Sequence, residues 1–249
     1  VTLDKDDGGA KARSVPALPS RSRPPRRSKP ASRLTPEQRI ADILAAARIL
    51  LAEKGYDACT TADIAERAGV VEGTIYRYFE SKRELFTKLA EQWFGELLTA
   101  RAAPPPGADI RTRLRSAIAD ALSIIRHERA LSKFVLMELR PDPNYRSMEV
   151  YRLNQAYTAG VLEVLKDAER AGQIDPALPV TLLRDMIFGA IEHRTWAFLR
   201  EEGDFFVDEV ADAITKVVFR GMQSVVPHAP DLSQVVARLE ASIAKLDHR

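Results

Sequence analysis

Two helix signals separated by a single glycine turn, between Thr60 and Lys82, constrain this chain more than any other feature. Thr60 reads as an N-cap with Asp63 three residues on, the spacing at which each side chain can bond the other's backbone N–H. Ile64, Ala65 and Ala68 then make a short apolar face. Gly69 predicts the end of that helix, because a sharp helix-to-helix turn needs the left-handed backbone that glycine takes without a Cβ penalty. Val70 is placed to fill the angle between the two helices. A second short helix is predicted from about Glu72 to Phe79. Ile75 and Phe79, at i and i+4, face inward, which leaves Gly73, Thr74, Tyr76, Arg77 and Tyr78 outside. Small, hydroxyl-bearing and aromatic side chains beside a cation suit a DNA major groove: Gly and Thr permit close approach, and the others reach phosphates or base edges.

At these residues the sequence resembles the tetracycline-repressor (TetR) family of bacterial transcriptional regulators. The resemblance is carried by Gly55-Tyr56, Thr60-Thr61, Asp63-Ile64-Ala65, Ala68-Gly69-Val70, Gly73-Thr74-Ile75-Tyr76, Tyr78-Phe79 and Ser81-Lys82 followed by Leu85, over about residues 35 to 90. It implies an all-α protein: an N-terminal three-helix, helix-turn-helix DNA-binding domain and a larger C-terminal helical domain for ligand binding and dimerisation. It also implies that Thr60 and Thr61 meet backbone phosphates, that Glu72, Gly73, Thr74 and Tyr76 lie in or beside the groove, and that Tyr78 and Lys82 meet phosphates. Arg77 joins this set from its place on the exposed face. Two departures stand out. Val71 occupies a position that is often Ser in the family, and Val cannot cap, a loss of roughly 1 kcal/mol. Glu72 is commonly basic or amide in relatives. Its carboxylate favours a helix N-terminus but repels phosphate, so it either accepts from a cytosine amino group or lies aside.

The formal net charge of +2 hides an uneven distribution. Residues 1–34 hold nine Lys/Arg against three Asp, leaving 28 against 32 from the chain totals of 37 and 35. The Pro-, Ser- and Arg-rich stretch within this arm has no periodicity and is expected to be disordered. Such an arm either lies along phosphates and minor groove or serves as a solubilising tail. The one cysteine, Cys59, excludes an intramolecular disulfide and fits a reducing cytoplasm; it reads as a small buried filler. The N-terminal stretch lacks the apolar centre of a signal peptide, and no run of about eighteen apolar residues predicts a membrane span.

The partition expected is an arm over 1–34, the DNA-binding domain over 35–86, an effector and dimerisation domain over 87–226, and an amphipathic C-terminal helix over 227–249. Thr35, Pro36 and Gln38 mark the start of the first helix, whose apolar residues keep helical spacing to Gly55. Ser81 and Glu84 form a second capping box, opening a helix with Leu85, Phe86, Leu89, Trp93 and Leu97 on one side, where Trp93 and Phe94 read as core. Pro104-Pro105-Pro106-Gly107 predicts its end. Helices are then expected over Ile110 to Ile125, Leu131 to Leu139, Ser147 to Ala171, Val180 to Leu199 and Phe205 to Met222. The last two carry more apolar surface than a small body needs, and the resemblance implies that they pair with a second copy as a four-helix bundle. A two-fold dimer has a physical purpose, since two short recognition helices read a palindrome in double-stranded operator DNA. Leu232, Val236, Leu239, Ile243 and Leu246 form a short heptad pattern that either docks on the body or pairs across the dimer.

The resemblance also implies a cavity among the body helices, filled by a small hydrophobic effector. Candidate lining residues are Phe134, Met137, Tyr151, Asn154, Tyr157, Phe188 and Trp196, with His193 and Arg194 as polar handles. Each also fits a plain core position. VEGTIYRYF, LMELRPDPNY and MIFGAIEHRTWAFL resemble the regulators of fatty-acid degradation that bind long-chain acyl-coenzyme A, with Arg140, Arg146 and Arg152 available for its phosphates. A drug, an aromatic compound or another lipid is the alternative effector, and a ligand-free activator or adaptor the alternative role. An enzyme is not expected: the histidines at 127, 193, 228 and 248 fall in no metal-ligand spacing, and there is no phosphate-cradling glycine loop or cofactor motif.

Overall fold

The computed structural model describes residues 35–101, 107–223 and 236–237. The basic arm, Pro104-Pro105-Pro106 and, apart from Val236 and Ala237, the C-terminal heptad segment lie outside the described residues. Those described are helical, with no strand among them. Helix α1 (Pro36–Ala58) breaks where the sequence marks its end: Gly55 sits at φ 76°, ψ 171°. The Thr60–Asp63 box then forms completely. The Thr60 hydroxyl accepts from the Asp63 N–H at 3.1 Å, and Asp63 Oδ2 accepts from the Thr60 N–H at 3.0 Å. Helix α2 (Thr61–Arg67) ends at Gly69, φ +65°, with the Val70 N–H bonded back to the Ala65 carbonyl at 2.9 Å.

Helix α3 (Glu72–Ile75) is shorter than the pattern predicts. Val71 gives its N-terminus no side-chain cap, and past Ile75 the chain continues as turns. The Phe79 N–H still reaches the Ile75 carbonyl at 2.9 Å. Both inward anchors hold, with Ile75 and Phe79 buried. Helix α4 (Lys82–Ala100) is capped by the Ser81 hydroxyl accepting from the Glu84 N–H, while the Glu84 carboxylate accepts from Glu80 N–H, one residue before the position a full capping box uses.

Helix α5 (Ile110–His127) opens on an Asp109 cap that the sequence reading did not single out. The expected Leu131–Leu139 helix resolves into α6 (Arg129–Lys133) and a π-helical stretch, Phe134–Leu139, visible in the bond from the Arg140 N–H to the Val135 carbonyl. A 3-10 turn, Tyr145–Ser147, precedes α7 (Glu149–Arg170); α8 (Val180–Leu199) and α9 (Val207–Met222) follow.

Two apolar cores organise these helices. The first joins α1, α2, α3 and α4 to α6, the π-helical stretch and the start of α7. The second lies among α5, the rest of α7, α8 and α9. Cys59 is fully buried in the first core, as its reading as a filler expects, and burial pushes its thiol pKa up. The first core centres on three rings: Tyr56 lies 5.3 Å from Phe86 and 4.8 Å from Phe134, and Phe86 lies 5.7 Å from Phe134. Phe86→Ala removes the middle ring from a site with no solvent exposure, and we expect it to lower unfolding free energy by about 3–5 kcal/mol in urea titrations.

Candidate functional site

The first candidate surface is built by α2 and α3. Ile75 and Phe79 pin a single helical turn to the core, so Glu72, Gly73, Tyr76 and Arg77 are exposed and Thr74 half-buried. Tyr76 is 54% exposed. Tyr78, which the spacing placed outside, is instead half-buried against the core, with the Arg77 guanidinium 5.7 Å from its ring centroid.

The structure also gives Glu72 a partner. The buried Thr61 hydroxyl donates to Glu72 Oε1 at 2.6 Å and lies 3.0 Å from the Tyr76 hydroxyl. Threonine has one hydroxyl proton, and Glu72 receives it, so Tyr76 is the donor in the second contact. Glu72 therefore lies aside and locks the turn of α3 onto the start of α2. Thr60 is engaged with Asp63. Lys82 donates to the carbonyls of Tyr56 at 2.9 Å and Cys59 at 3.0 Å, and its ammonium sits 4.5 Å from the Tyr56 ring centroid. It closes the frayed end of α1 as a cation at a helix C-terminus. Thr60, Thr61 and Lys82 thus all have intramolecular partners in the DNA-free chain.

The second candidate site is a cavity of about 190 Å³ among α4, α5, α6, the π-helical stretch, α7 and α8. Of the residues singled out in the sequence, Asn154, Tyr157 and Phe188 line it, as does Arg140. The others do not. Phe134 is consumed by the three-ring cluster of the core, and Tyr151 packs edge-on against Tyr145 at 5.5 Å. Met137 is half-buried away from the cavity. His193, Arg194 and Trp196 lie on the exposed face of α8, because the inward face of that helix runs through Arg184, Phe188, Ile191 and Glu192. Arg146 and Arg152 are exposed and off the cavity, with Arg152 paired to Glu149.

The sequence reading missed several lining residues. Trp93 and Phe94 are buried, as their spacing predicts, yet they also form cavity wall. Ser132 on α6 is buried and also lines the cavity. At the more exposed end Arg140 pairs with Glu192 at 2.5 Å and Arg184 with Asp185 at 2.7 Å. Burial pushes the Tyr157 pKa up, with the Asp120 carboxylate adding to the shift, so its phenol stays protonated at neutral pH.

Comparison with known proteins follows the same division. Residues 43–89 match the family model described as bacterial regulatory proteins, tetR family, and residues 107–222 match the tetracyclin repressor-like C-terminal domain. The fatty acid metabolism regulator protein of Bacillus subtilis (strain 168) is 24% identical over 183 residues, 73% of this chain and 94% of that protein. The transcriptional repressor KstR2 of Rhodococcus jostii is 28% identical over 193 residues, 75% of this chain and 91% of the repressor. Among solved structures, the regulator FadR from Bacillus subtilis in complex with stearoyl-CoA shares the fold, with TM-score 0.59 and 23% identity, over 74% of this chain and 99% of that one.

The cap that opens α2 has a measurable electrostatic signature. The Thr60 backbone N–H, the Lys54 ammonium and the Thr60 hydroxyl, in that order, lower the Asp63 pKa to about 2. A depressed carboxylate stabilises the fold at pH above its unfolded value, about 3.9, and that stabilisation is lost as pH falls through about 2. We expect an NMR titration of the Asp63 carboxyl to show this low midpoint, and Lys54→Ala to raise it.

Proposed function

Because the chain belongs to the tetR family of bacterial regulatory proteins, we propose that it is a cytoplasmic homodimeric repressor that binds a palindromic operator and is released by a small hydrophobic effector. In this reading residues 35–86 form the DNA-binding domain and 87–226 the effector and dimerisation domain. The observation that carries the DNA assignment is α3: one rigidly anchored turn offering Gly73, Thr74, Tyr76 and Arg77 outward. Gly73 lets the backbone approach base edges, Thr74 and Tyr76 contact the groove, and Arg77 and Tyr78 meet phosphates. On engagement, Thr60, Thr61 and Lys82 exchange or share their intramolecular partners with phosphate oxygens.

A single α3 reads few base pairs, so specificity requires two copies. The outer face of α8 and α9 supports that requirement. Leu182, Met186 and Trp196 on α8, with Phe206 at the start of α9 and Val217 on it, are all more than 40% exposed. This apolar surface fits self-association across a two-fold axis.

The effector assignment rests on the cavity and on the similarity to fatty-acid regulators. About 190 Å³ is below the range of about 300–1,000 Å³ typical of drug-sized ligand sites, so a long acyl chain has to part the walls as it enters. Such widening displaces α4, which carries Trp93 in the cavity and Lys82 at the foot of the DNA-binding domain. The ligand thereby favours one arrangement of the two DNA-binding domains over another. The charged end of acyl-coenzyme A meets Arg140 and Arg184 after these exchange their carboxylate partners for phosphate.

Two measurements test the reading. Tyr76→Ala is expected to weaken operator binding by about tenfold or more, from a lost contact of roughly 1–3 kcal/mol, while the dimer persists in sedimentation; unchanged operator affinity overturns the assignment of α3. Stearoyl-coenzyme A, added to the protein bound to an operator selected from genomic fragments, is expected to release the DNA in fluorescence anisotropy. DNA that stays bound overturns the acyl effector and leaves the regulator assignment standing.

A further inference from the structure

The contact between Thr61, Glu72 and Tyr76 fixes where two hydroxyl protons lie. Glu72 and Tyr76 stand at i and i+4 across the single turn of α3, and Thr61 reaches both from the start of α2. The Thr61 hydroxyl is 2.6 Å from Glu72 Oε1 and 3.0 Å from the Tyr76 hydroxyl, and among the described residues neither hydroxyl bonds any other group. A carboxylate only accepts, so it takes the one Thr61 proton in a charge-assisted bond. Thr61 Oγ can then only accept from Tyr76, which uses the one phenolic proton.

The Tyr76 oxygen is left with lone pairs and no proton to offer. Phosphate oxygens present only acceptors to a protein, as do N7 and O6 of guanine, N7 of adenine and O4 of thymine. The donors in the major groove are the amino groups, N6 of adenine and N4 of cytosine. Of the two courses open to Thr61 when DNA is engaged, exchange breaks this relay and sharing keeps it. Exchange leaves an unpaired Glu72 carboxylate beside a phosphate, an apposition of like charges, so sharing is favoured. Thr61 is also only 8% exposed, which limits access to its proton.

We propose that Glu72, acting through Thr61, sets the direction of the Tyr76 hydroxyl, so that Tyr76 acts toward DNA as an acceptor only and selects a base pair presenting an amino group, adenine N6 or cytosine N4. The proposal rests on the reading of α3 as the element in the groove, to which Tyr76 brings a side chain more than half exposed. Glu72 is a positioning residue in this scheme: its carboxylate, which repels phosphate, holds a proton inward. A glutamine at 72 loosens the scheme, because an amide donates or accepts and the relay then runs in either direction.

The test is a double-mutant cycle between Tyr76→Phe and single base groups, read by fluorescence anisotropy on the full chain with an operator selected from genomic fragments. In synthetic duplexes purine replaces adenine, and 2-pyrimidinone replaces cytosine, at one symmetric pair of positions at a time, each removing an amino group; 7-deazapurines remove N7. Tyr76→Phe keeps the ring and removes the hydroxyl. At one position in each half-site, loss of the amino group is expected to weaken wild type by about tenfold more per half-site than it weakens Tyr76→Phe, the effect of one hydrogen bond shielded from water. Glu72→Gln and Glu72→Ala are expected to lower this coupling. Coupling of Tyr76 to N7 instead, or to no amino group, overturns the acceptor assignment. Coupling undiminished in both Glu72 variants overturns the role of Glu72. In either case the DNA-binding reading stands while Tyr76→Ala weakens operator binding; if Tyr76→Ala binds the operator as wild type does, that reading fails and the relay's role fails with it.

Discussion

The packing of Tyr56, Phe86 and Phe134 is the contact on which the rest of the described structure depends. These rings come from the end of α1, the first turns of α4 and the start of the π-helical stretch, and they meet in tilted and edge-on orientations that aromatic quadrupoles favour. Charged side chains next to the cluster secure the same junction. Lys82 caps the kinked end of α1, and Arg83 reaches the Glu138 carbonyl at 2.9 Å and Asp142 at 2.8 Å. The helices that present α3 are therefore continuous in packing with the body. A displacement of α4 has no slack interface in which to dissipate, because close-packed side chains transmit strain.

That continuity gives the cavity its place in the mechanism we propose. Its walls draw on both apolar cores: Trp93, Phe94 and Val135 belong to the first, Ala121 and Ile191 to the second. In the proposed mechanism a ligand that enters between them wedges two packed units apart instead of filling one. Arg48 spans the same region, bonding Glu96 on α4 at 2.8 Å and pairing with Glu128 between α5 and α6. Partly exposed pairs of this kind contribute little stability singly.

Local chemistry made much of this legible from residues alone. Thr60 with Asp63, Gly55, Gly69 and Ser81 each act within a few residues of themselves, through caps and left-handed turns, so their consequences do not wait on tertiary structure. The bounds of α8 coincide with the Val180–Leu199 pattern because Pro179 and the end of an apolar period delimit it. Ile75 and Phe79 were identifiable as anchors from i, i+4 spacing. The length of α3 was less so: its apolar pattern runs to Phe79, yet the regular helix ends at Ile75 and the chain continues to Phe79 as turns. On α8 the periodicity is nearly uniform in hydrophobicity, so spacing alone did not distinguish the face of Phe188 and Glu192 from that of His193 and Trp196.

By itself, then, the sequence determined the helical class, the helix-turn-helix with Gly73, Tyr76 and Arg77 outward, and the order and approximate ends of the body helices, since each follows from interactions between near neighbours in the chain. Only the tertiary structure decided which apolar residues are cavity wall and which are core: Phe134 joins an aromatic cluster, whereas Trp93 and Phe94 line the cavity. It also decided the partner of Glu72, since that partner, Thr61, lies on another helix across the turn. The physical reason is common to these cases. Burial, pairing and the direction of a side chain are set by what packs opposite, and what packs opposite lies far away in sequence.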